Sequence, residues 1–411
     1  MAISHDIGLF FPFKLNRPLT IEEKQSRFVQ GKRRKNSGEA TVLDLDTVIR
    51  MNSSYLEVVD KFYPTRGYVT AFMMAFCILI IVFILAIATL VIFNNGNFSM
   101  FSLFSIVCSI CMYYLICILL KEWFQKTHYP VRFNRKKHLV HIYQVKGEII
   151  TLPWKNIYFT TSKQKVSYCI VGHILADDNE TVLNTFSFGH VGQKAELSLY
   201  WEFIRCYMEE DCLEELAATV LYCPPIEKQK EGYITGLQTL IKMDSRLEWV
   251  PSILLLPLSL VESIARYIGM QTSKIPQWPQ DVLDACAVDP NDPVNVGAEN
   301  NRPHRWRTVL ANETREVFDA KNERLRIANQ KIKAKLDARY EGENMKEVIR
   351  ACDNSICPAV MANYQSRDEI QTWLAAIWWR QIPDGESDVP AIWPTMQMEM
   401  SQLQQLVGGG E

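Results

Sequence analysis

The residues of this chain best suited to chemistry are two histidines, two cysteines and a run of carboxylates. His138 and His141 lie three positions apart in a segment that alternates apolar and polar residues. Such alternation predicts a strand, on which positions i and i+3 point to opposite faces, so these imidazoles are not expected to share a metal ion. Cys352 and Cys357 form one C-x4-C without a second pair, which favours ordinary cysteines over a zinc site. The acidic run at 209–215 has no histidine or basic partner and is expected to be a solvated helix end.

No catalytic or cofactor-binding motif stands out. The sequence contains no G-x-S-x-G, no G-x-x-x-x-G-K-[ST], no H-E-x-x-H and no G-x-G-x-x-G. We therefore predict a protein that is not an enzyme and has no cofactor or metal; a lipid-directed activity is an alternative without a motif. Lys and Arg number 44 against 46 Asp and Glu, a net charge of −2. Because this balance gives no overall attraction for polyanions, we predict no nucleic acid partner.

Two long apolar segments are the clearest structural elements in the sequence, and any functional site would have to be placed relative to them. No Asp, Glu, Lys or Arg occurs between Arg66 and Lys121. A polar turn at 94–99 divides this stretch into segments 68–93 and 100–124, each longer than the ~20 apolar residues needed to span a bilayer. We predict a transmembrane helical hairpin over 67–124. It is not a secretory signal, because the polar segment 1–66 precedes it.

The predicted spans favour an anchor over a transport pathway. Transporters and channels usually carry charged or strongly polar groups inside the membrane, whereas this stretch has no Asp, Glu, Lys or Arg before Lys121. A pore would require oligomerisation. Its polar lining would then come from Ser102, Ser105, Ser109 and Tyr113.

Basic residues flank the hairpin and are absent from its turn. Arg66 precedes it, and the bases that follow it are Lys121, Lys126, Arg132, Arg135, Lys136 and Lys137. The positive-inside rule then places both termini in the cytoplasm. The bilayer is the first predicted partner, and these bases are expected to fix the topology and to meet lipid headgroups. Cysteines outside the spans are expected to be free thiols in that reducing compartment.

The segment 125–216 reads as a β-rich domain with a closing helix. About six short runs rich in β-branched and aromatic residues are separated by turn signals, which predicts an antiparallel meander. An amphipathic helix is predicted at 193–216, with Trp201 on its apolar face. The predicted fold is thus a membrane α+β protein: a two-helix transmembrane hairpin, a cytoplasmic antiparallel β-sheet capped by a helix, and a mostly α-helical C-terminal region. Segment 1–66 is predicted to be a cytoplasmic N-terminal segment with one strand or helix at 42–63.

The rest of the chain is predicted to be mainly helical. Region 217–287 contains an apolar segment at 249–270, for which we favour a packed helix over an interfacial helix or a third span. Region 304–382 contains a long charged helix at 305–343 and an aromatic helix at 367–382, and 383–411 reads as a flexible tail. The face expected to pack in the 249–270 helix consists of Leu254, Leu258, Val261, Ala265 and Ile268. The narrow apolar stripe of the charged helix consists of Leu325, Ala328, Ile332 and Leu336.

Several residues after the hairpin also carry a resemblance to a known group of proteins. These are Arg132, Phe133, Asn134, Arg135, Pro153, Trp154, Trp201, Glu202, Phe203 and the sequence KIPQWP at 274–279, which includes Trp278. Together with the hairpin, they make the chain resemble a family of uncharacterised bacterial inner-membrane proteins often encoded near type VI secretion genes. The layout is also similar to membrane proteins with a pleckstrin-homology-like domain.

The resemblance implies a function that no motif carries. It implies an inner-membrane protein-interaction protein, an accessory or effector-associated component of type VI secretion, whose partner is a secretion effector or secretion component. An immunity protein against a cognate toxin and a membrane-inserting pore-forming effector remain alternatives. The residues assigned to the fold motif or to interaction are Phe133, Asn134, Pro153, Trp154, Trp201 and Trp278.

Overall fold

The structure is a computed structural model that describes residues 9, 12–33, 41–93, 98–163, 167–244, 252–301 and 315–355. The chain divides into a first unit, Met1–Ile332, and a second, Lys333–Glu411. Of the second unit, only the helical residues 333–355 are described. The predicted aromatic helix at 367–382, the tail at 383–411 and Cys357 lie outside the described residues.

The strands form two antiparallel sheets in the first unit. One sheet has the order β1-β10-β9-β8-β2 and the other β11-β3-β4-β5-β6-β7. The strands are β1 (Arg17–Pro18), β2 (Arg27–Phe28), β3 (Val48–Asn52), β4 (Tyr55–Val58), β5 (Val131–Asn134), β6 (Leu139–Tyr143), β7 (Ile149–Pro153), β8 (Ile157–Lys163), β9 (Tyr168–Leu175), β10 (Thr181–Val191) and β11 (Asn295–Gly297).

The helices account for most of the remaining described chain. They are α1 (Ile21–Gln25), α2 (Tyr68–Phe93), α3 (Phe98–Leu119), α4 (Lys194–Glu209), α5 (Leu213–Thr219), α6 (Tyr233–Asp244), α7 (Ser252–Thr272), α8 (Gln280–Ala285) and α9 (Arg315–Ser355). Single 3-10 turns follow β7 and β11, at Trp154–Asn156 and Ala298–Asn300.

The meander of 125–216 is present, but the structure corrects the prediction of one sheet formed by that segment alone. β5–β7 join one sheet and β8–β10 the other, and strands from 1–66 extend both. β3 and β4 are buried at almost every position, so they lack the alternation that reveals a half-exposed strand. β1 and β2 are two residues long, too short for any periodicity. Their partners also lie far away in the sequence, which local patterns cannot indicate.

The helical hairpin is inserted between two paired strands. β4 runs into α2, α3 runs back to β5, and β4 pairs with β5 in the register Val58↔Val131. The hairpin therefore occupies the place of the loop in a β-hairpin. For this reason, the predicted boundaries at 66 and 125 do not separate independent parts of the fold.

An aromatic core fills the space under α4. The rings of Trp154 and Trp201 stack at 5.5 Å, and Phe159 lies 4.9 Å from Trp154 and 5.0 Å from Trp201. Phe133 of β5 meets the edge of Trp154 at 5.8 Å. All four side chains are buried. α4 contacts β9 and β10 and therefore covers part of their sheet.

Two segments of the C-terminal half for which helices were predicted are described as helical, α7 and α9. Most of segment 249–270 lies in α7, but the face expected to pack is mostly exposed, including Leu254 at 70% and Val261 at 62%. On α9, Ala328 and Ile332 of the predicted stripe are buried. Asn329 accepts hydrogen bonds from the backbone N–H groups of residues 41 and 42 at 2.8 and 2.9 Å. α9 thus contacts the N-terminal part of the chain through Asn329, which neighbours the stripe, within the first unit.

Candidate functional site at the base of the helical hairpin

A dense network of buried polar groups lies where the hairpin leaves and re-enters the folded domain. We call it the hairpin junction. It consists of Asp60, Tyr63, Arg66, Gly67 and Thr70 before and at the start of α2, Glu122, His128 and Tyr129 after α3, and Glu231 and Arg266 from later in the chain.

Glu122 caps the first turn of α2. Its Oε1 accepts a hydrogen bond from the Gly67 N–H at 2.7 Å, and Oε2 accepts bonds from the Thr70 N–H at 2.9 Å and hydroxyl at 2.6 Å. The Trp123 indole N–H donates to the same hydroxyl at 3.0 Å. A carboxylate at a helix N-terminus satisfies free N–H groups and interacts favourably with the helix dipole. The chain leaving α3 therefore fixes the beginning of α2.

Arg266 of α7 binds the segment that leads into α2. Its guanidinium donates to Glu231 from Nε at 2.7 Å and from Nη2 at 2.8 Å. Nη1 donates to the carbonyls of residues 63, 64 and 66 at 2.9–3.0 Å. The Tyr63 hydroxyl also donates to Glu231, at 2.7 Å. The Arg266 and Glu231 side chains are 0% and 1% exposed, so the whole pair is withdrawn from water and its remaining polar groups are satisfied by the chain.

Gly67 allows α7 to approach this segment closely. Its φ is +95°, a conformation that glycine adopts at no steric cost. A Cβ at this position would lie 2.6 Å from the Arg266 Cα, which no side chain can tolerate. The backbone of α7 thus rests directly on the residue before α2.

Asp60 connects the two chain segments that lead into and out of the helical hairpin. Its carboxylate accepts hydrogen bonds from the N–H groups of Phe62, on the outgoing side, and Tyr129, on the returning side, at 3.0 and 2.9 Å. Burial raises the pKa of the Asp60 carboxyl above its usual value. Burial, with the charge of Arg66 second, lowers the pKa of His128 to about 3. His128 is therefore neutral at physiological pH.

A second buried charge pair lies on the sheet next to the junction. Arg132 of β5 donates to Glu57 of β4 from Nε at 2.8 Å, and both side chains are 5% exposed. The guanidinium lies over the rings of Tyr55 at 4.2 Å and Trp278 at 4.8 Å. The Trp278 indole N–H donates to Glu57 at 3.2 Å. Carboxylate and aromatic rings thus surround the cation on several sides.

The structure separates the predicted headgroup-facing bases into two groups. Lys121, Lys136 and Lys137 are exposed, and Lys126 and Arg135 are half-buried. Arg66 and Arg132 are each 4% exposed, which corrects the expectation that their side chains meet lipid headgroups. Arg132 forms an ion pair with Glu57. Arg66 donates to the Glu122 carbonyl at 3.4 Å, and its guanidinium lies 5.6 Å from the centre of the Tyr129 ring. Sequence position alone could not show which bases have partners inside the fold.

The fold-motif residues divide in the same way. Phe133, Trp154 and Trp201 belong to the aromatic core. Asn134 is buried and donates to the carbonyl of residue 285 at 2.7 Å. Pro153 is exposed at the end of β7, so these residues are mainly structural, with Pro153 and the half-buried Trp278 as the accessible members.

The histidines, cysteines and carboxylates that the sequence offered for chemistry do not form one site in the described part of the chain. His138 is exposed, while His141 is 2% exposed and its Nδ1 lies 2.8 Å from the Thr151 hydroxyl. Burial, with Arg132 second, lowers the pKa of His141 to about 4. In the described part of the chain, no three His, Cys, Asp or Glu side chains are grouped to hold a metal ion. The expectation that the 209–215 run is solvated and has no basic partner was wrong. Glu209 accepts from the Trp154 indole at 2.7 Å, and Glu210 accepts from the Arg205 guanidinium at 2.5 Å.

Sequence reasoning assigned a role to only one of the ten junction residues, Arg66. Among those it missed are Asp60, Gly67, Glu122, Glu231 and Arg266. One signal was available, since Glu262 and Arg266 interrupt an otherwise apolar segment. Charges in such a segment indicate that it has buried polar partners. The arrangement of the junction is suited to fixing the orientation of the hairpin rather than to proton or group transfer, because its charged groups bind one another and the backbone.

Comparison with known proteins covers the part of the chain that contains half of this junction. No curated protein and no solved structure matches the chain. Residues 108–290, from within α3 to beyond α8, match the model of a family of unknown function, DUF6708.

Proposed function

We propose that this chain is a membrane-anchored protein-interaction protein, in which α2 and α3 cross the bilayer and the two-sheet domain is the interaction module. The observation that carries this proposal is the exposure of the hairpin. Large apolar side chains are exposed along both helices, among them Phe83, Leu85 and Ile92 at 58%, 60% and 68%, and so extensive an apolar surface is rare on a protein in water. Both helices are long and apolar enough to cross a membrane, and lipid would cover these side chains.

The junction supports an anchor that holds the domain in a fixed orientation. A flexible tether would have few buried bonds at its base, whereas α2 begins inside a network formed by Glu122, Arg266 and Glu231. No charged residue lies along α2 or α3 to serve a transport pathway. An anchor therefore accounts for the hairpin better than a channel does.

The proposed location is a bacterial inner membrane with two spans and both termini in the cytoplasm. Its support is the excess of Lys and Arg at the ends of the hairpin, among which Lys121, Lys136 and Lys137 are exposed. The link to type VI secretion, as an accessory or effector-associated component, rests on the family resemblance of the sequence. The proposal of a pleckstrin-homology-like domain rests on the order of β5–β10 followed directly by α4, with the strands divided between two sheets.

Reporter fusions test the anchor. Alkaline phosphatase, which is active only in the periplasm, is inserted after residue 95, between the helices. The matched control carries it after Asn179, in the exposed turn between β9 and β10. We expect activity from the first fusion alone and retention of the chain in carbonate-washed membranes. Release by carbonate, or activity from both fusions, would refute the topology.

Deletion of the gene in a bacterium with an active type VI system tests the secretion role. We expect reduced delivery of one effector, while assembly of the secretion sheath continues and plasmid-borne expression restores delivery. Unchanged delivery of every effector would contradict the role. Self-poisoning that depends on a neighbouring toxin gene would instead identify an immunity protein, and loss of membrane potential on expression of this chain alone would identify a pore-forming effector.

A further inference from the structure

The apolar helix α7 has its polar and apolar sides reversed relative to a helix in water. All four polar side chains between positions 254 and 267 are buried: Ser259, Glu262, Ser263 and Arg266. Six large apolar side chains of the same stretch are exposed at 41–70%, and Leu256 is half-buried. The six are Leu254, Leu258, Leu260, Val261, Ile264 and Tyr267. At 3.6 residues per turn, the exposed set covers about half of the helix circumference. In water, the opposite distribution is expected.

We propose that α7 is a membrane-interfacial helix, which lies at the boundary between headgroups and acyl chains with its exposed apolar arc toward the lipid. This inference rests on the proposed function, because it requires α2 and α3 to be in the bilayer. It adds a third membrane contact, made by the folded domain itself. Interfacial helices of this kind bury one apolar face in the upper acyl region.

The position of α7 relative to α2 indicates the depth at which α7 would meet the bilayer. The backbone of Arg266 lies against Gly67, the residue before α2, and a Cβ on Gly269 would lie 3.8 Å from the Thr70 hydroxyl. The C-terminal half of α7 is therefore beside the first turn of α2. Two exposed tyrosines occur at this level, Tyr68 at the start of α2 and Tyr267 on α7, both 41% exposed. Tyrosine is enriched where a membrane protein passes through the headgroup layer.

Lipid is the occupant that best fits the apolar arc of α7. α7 packs beside α2, whose exposed side chains, including Phe72 at 58% and Phe76 at 41%, are equally apolar. Large apolar side chains are therefore exposed both on the hairpin and on the neighbouring helix of the folded domain. The charged residues of the segment are turned inward, where Arg266 binds Glu231, so the arc offers no ionic contact to a polar protein partner.

Site-specific photocrosslinking in vesicles tests the proposal. Benzoylphenylalanine replaces Val261 or Ile264 in the full chain, which is reconstituted in phosphatidylcholine and phosphatidylglycerol with a radiolabelled phosphatidylcholine tracer. Phe83 of α2, 58% exposed, is the matched hairpin position. Leu183 of β10, 46% exposed, is the matched position on a sheet. We expect lipid adducts at Val261, Ile264 and Phe83, and none above background at Leu183.

Mapping of the adducts separates an interfacial helix from a third span. An interfacial helix gives adducts at the upper acyl carbons from Val261 and Ile264, and Phe83 gives adducts deeper in the chains. Adducts at the chain ends from both α7 positions would overturn the interfacial placement. Lipid adducts at Phe83 with none at Val261 or Ile264, or crosslinks from α7 to a second copy of this chain, would refute the inference and leave the anchor intact. Absence of adducts at Phe83 as well would refute both.

Discussion

The contact between Gly67 and α7 can be tested with one methyl group and a control glycine of the same backbone type. Gly67 has φ +95°, and a Cβ there would lie 2.6 Å from the Arg266 Cα and 2.8 Å from its backbone nitrogen. Gly147, in the β6–β7 turn, has φ +88°, and a Cβ there would meet nothing within 4 Å. Gly67→Ala and Gly147→Ala therefore share the backbone strain and differ in the collision.

The two substitutions should differ by the cost of that collision. The left-handed conformation costs about 1–2 kcal/mol for alanine at either position. Gly67→Ala adds an overpacking cost of about 1–3 kcal/mol, because the atoms it meets belong to a helix backbone and cannot rotate away. Since about 1 kcal/mol changes the melting temperature of a large domain by roughly 2–4 °C, Gly67→Ala should melt about 5 °C below Gly147→Ala.

Thermal unfolding in dodecyl maltoside micelles provides the measurement. Far-UV circular dichroism and tryptophan fluorescence follow the wild-type chain and the two variants under identical conditions. We expect the melting temperatures to fall in the order wild type, Gly147→Ala, Gly67→Ala. Equal melting temperatures for the two variants would refute the close packing of α7 on the start of α2.

Three further predictions concern buried groups. Arg266→Leu should lower the free energy of unfolding, measured by denaturant titration, by about 3–5 kcal/mol, because it leaves the Glu231 charge buried without its partner. Adding Glu231→Leu should recover part of this loss. A double variant no more stable than Arg266→Leu would contradict the buried pair. His128 has a pKa of about 3 in the folded chain against ~6.5 unfolded, so the unfolded chain binds more protons between these values and stability falls as pH decreases through this window. The loss attributable to His128 between pH 7 and pH 5 is about 2 kcal/mol, and His128→Gln should remove it; an unchanged pH dependence would refute the assignment. Trp154→Ala should cost about 3–5 kcal/mol, because Trp154 is 2% exposed and contacts Trp201; a loss below about 1 kcal/mol would contradict its place in the core.

The hairpin, the strands of 125–216 and α4 were predictable from sequence because each has a strong local signal. The absence of charge between Arg66 and Lys121 identifies α2 and α3, and the apolar spacing around Trp201 identifies α4. A helix or strand can be recognised from the local sequence when one of its faces, or the whole element, is apolar. These elements satisfy that condition without reference to their partners.

The second sheet and the junction were not predictable, because they depend on pairing between distant residues. β11 pairs with β3 across more than half of the chain, in the register Val296↔Met51. Glu122, Glu231 and Arg266 resemble ordinary charges in the sequence, and their roles arise only when three separate segments meet. The expected headgroup contact of Arg132 was wrong for the same reason, because Glu57 meets Arg132 only through the pairing of β4 with β5, which local sequence patterns cannot show.

The face of α7 was misassigned because an apolar face indicates burial only for a helix surrounded by water. Beside a membrane span, an apolar face can be satisfied by lipid, and the polar face then becomes the one that packs on protein. α7 has the distribution of side chains expected for this second case, because Arg266 and Glu262 are buried while Leu258 and Val261 are exposed. The insertion of the helical hairpin between the paired strands β4 and β5 explains why α7 lies beside the start of α2. β4 and β5 are paired, so the two ends of the hairpin must leave the sheet side by side, and the bonds of Asp60 to both ends keep them there. α7 packs on the same point through Gly67, so the sheet, the hairpin and α7 share one fixed level. If lipid surrounds the hairpin above that level, the arc of α7 lies at the edge of the same lipid.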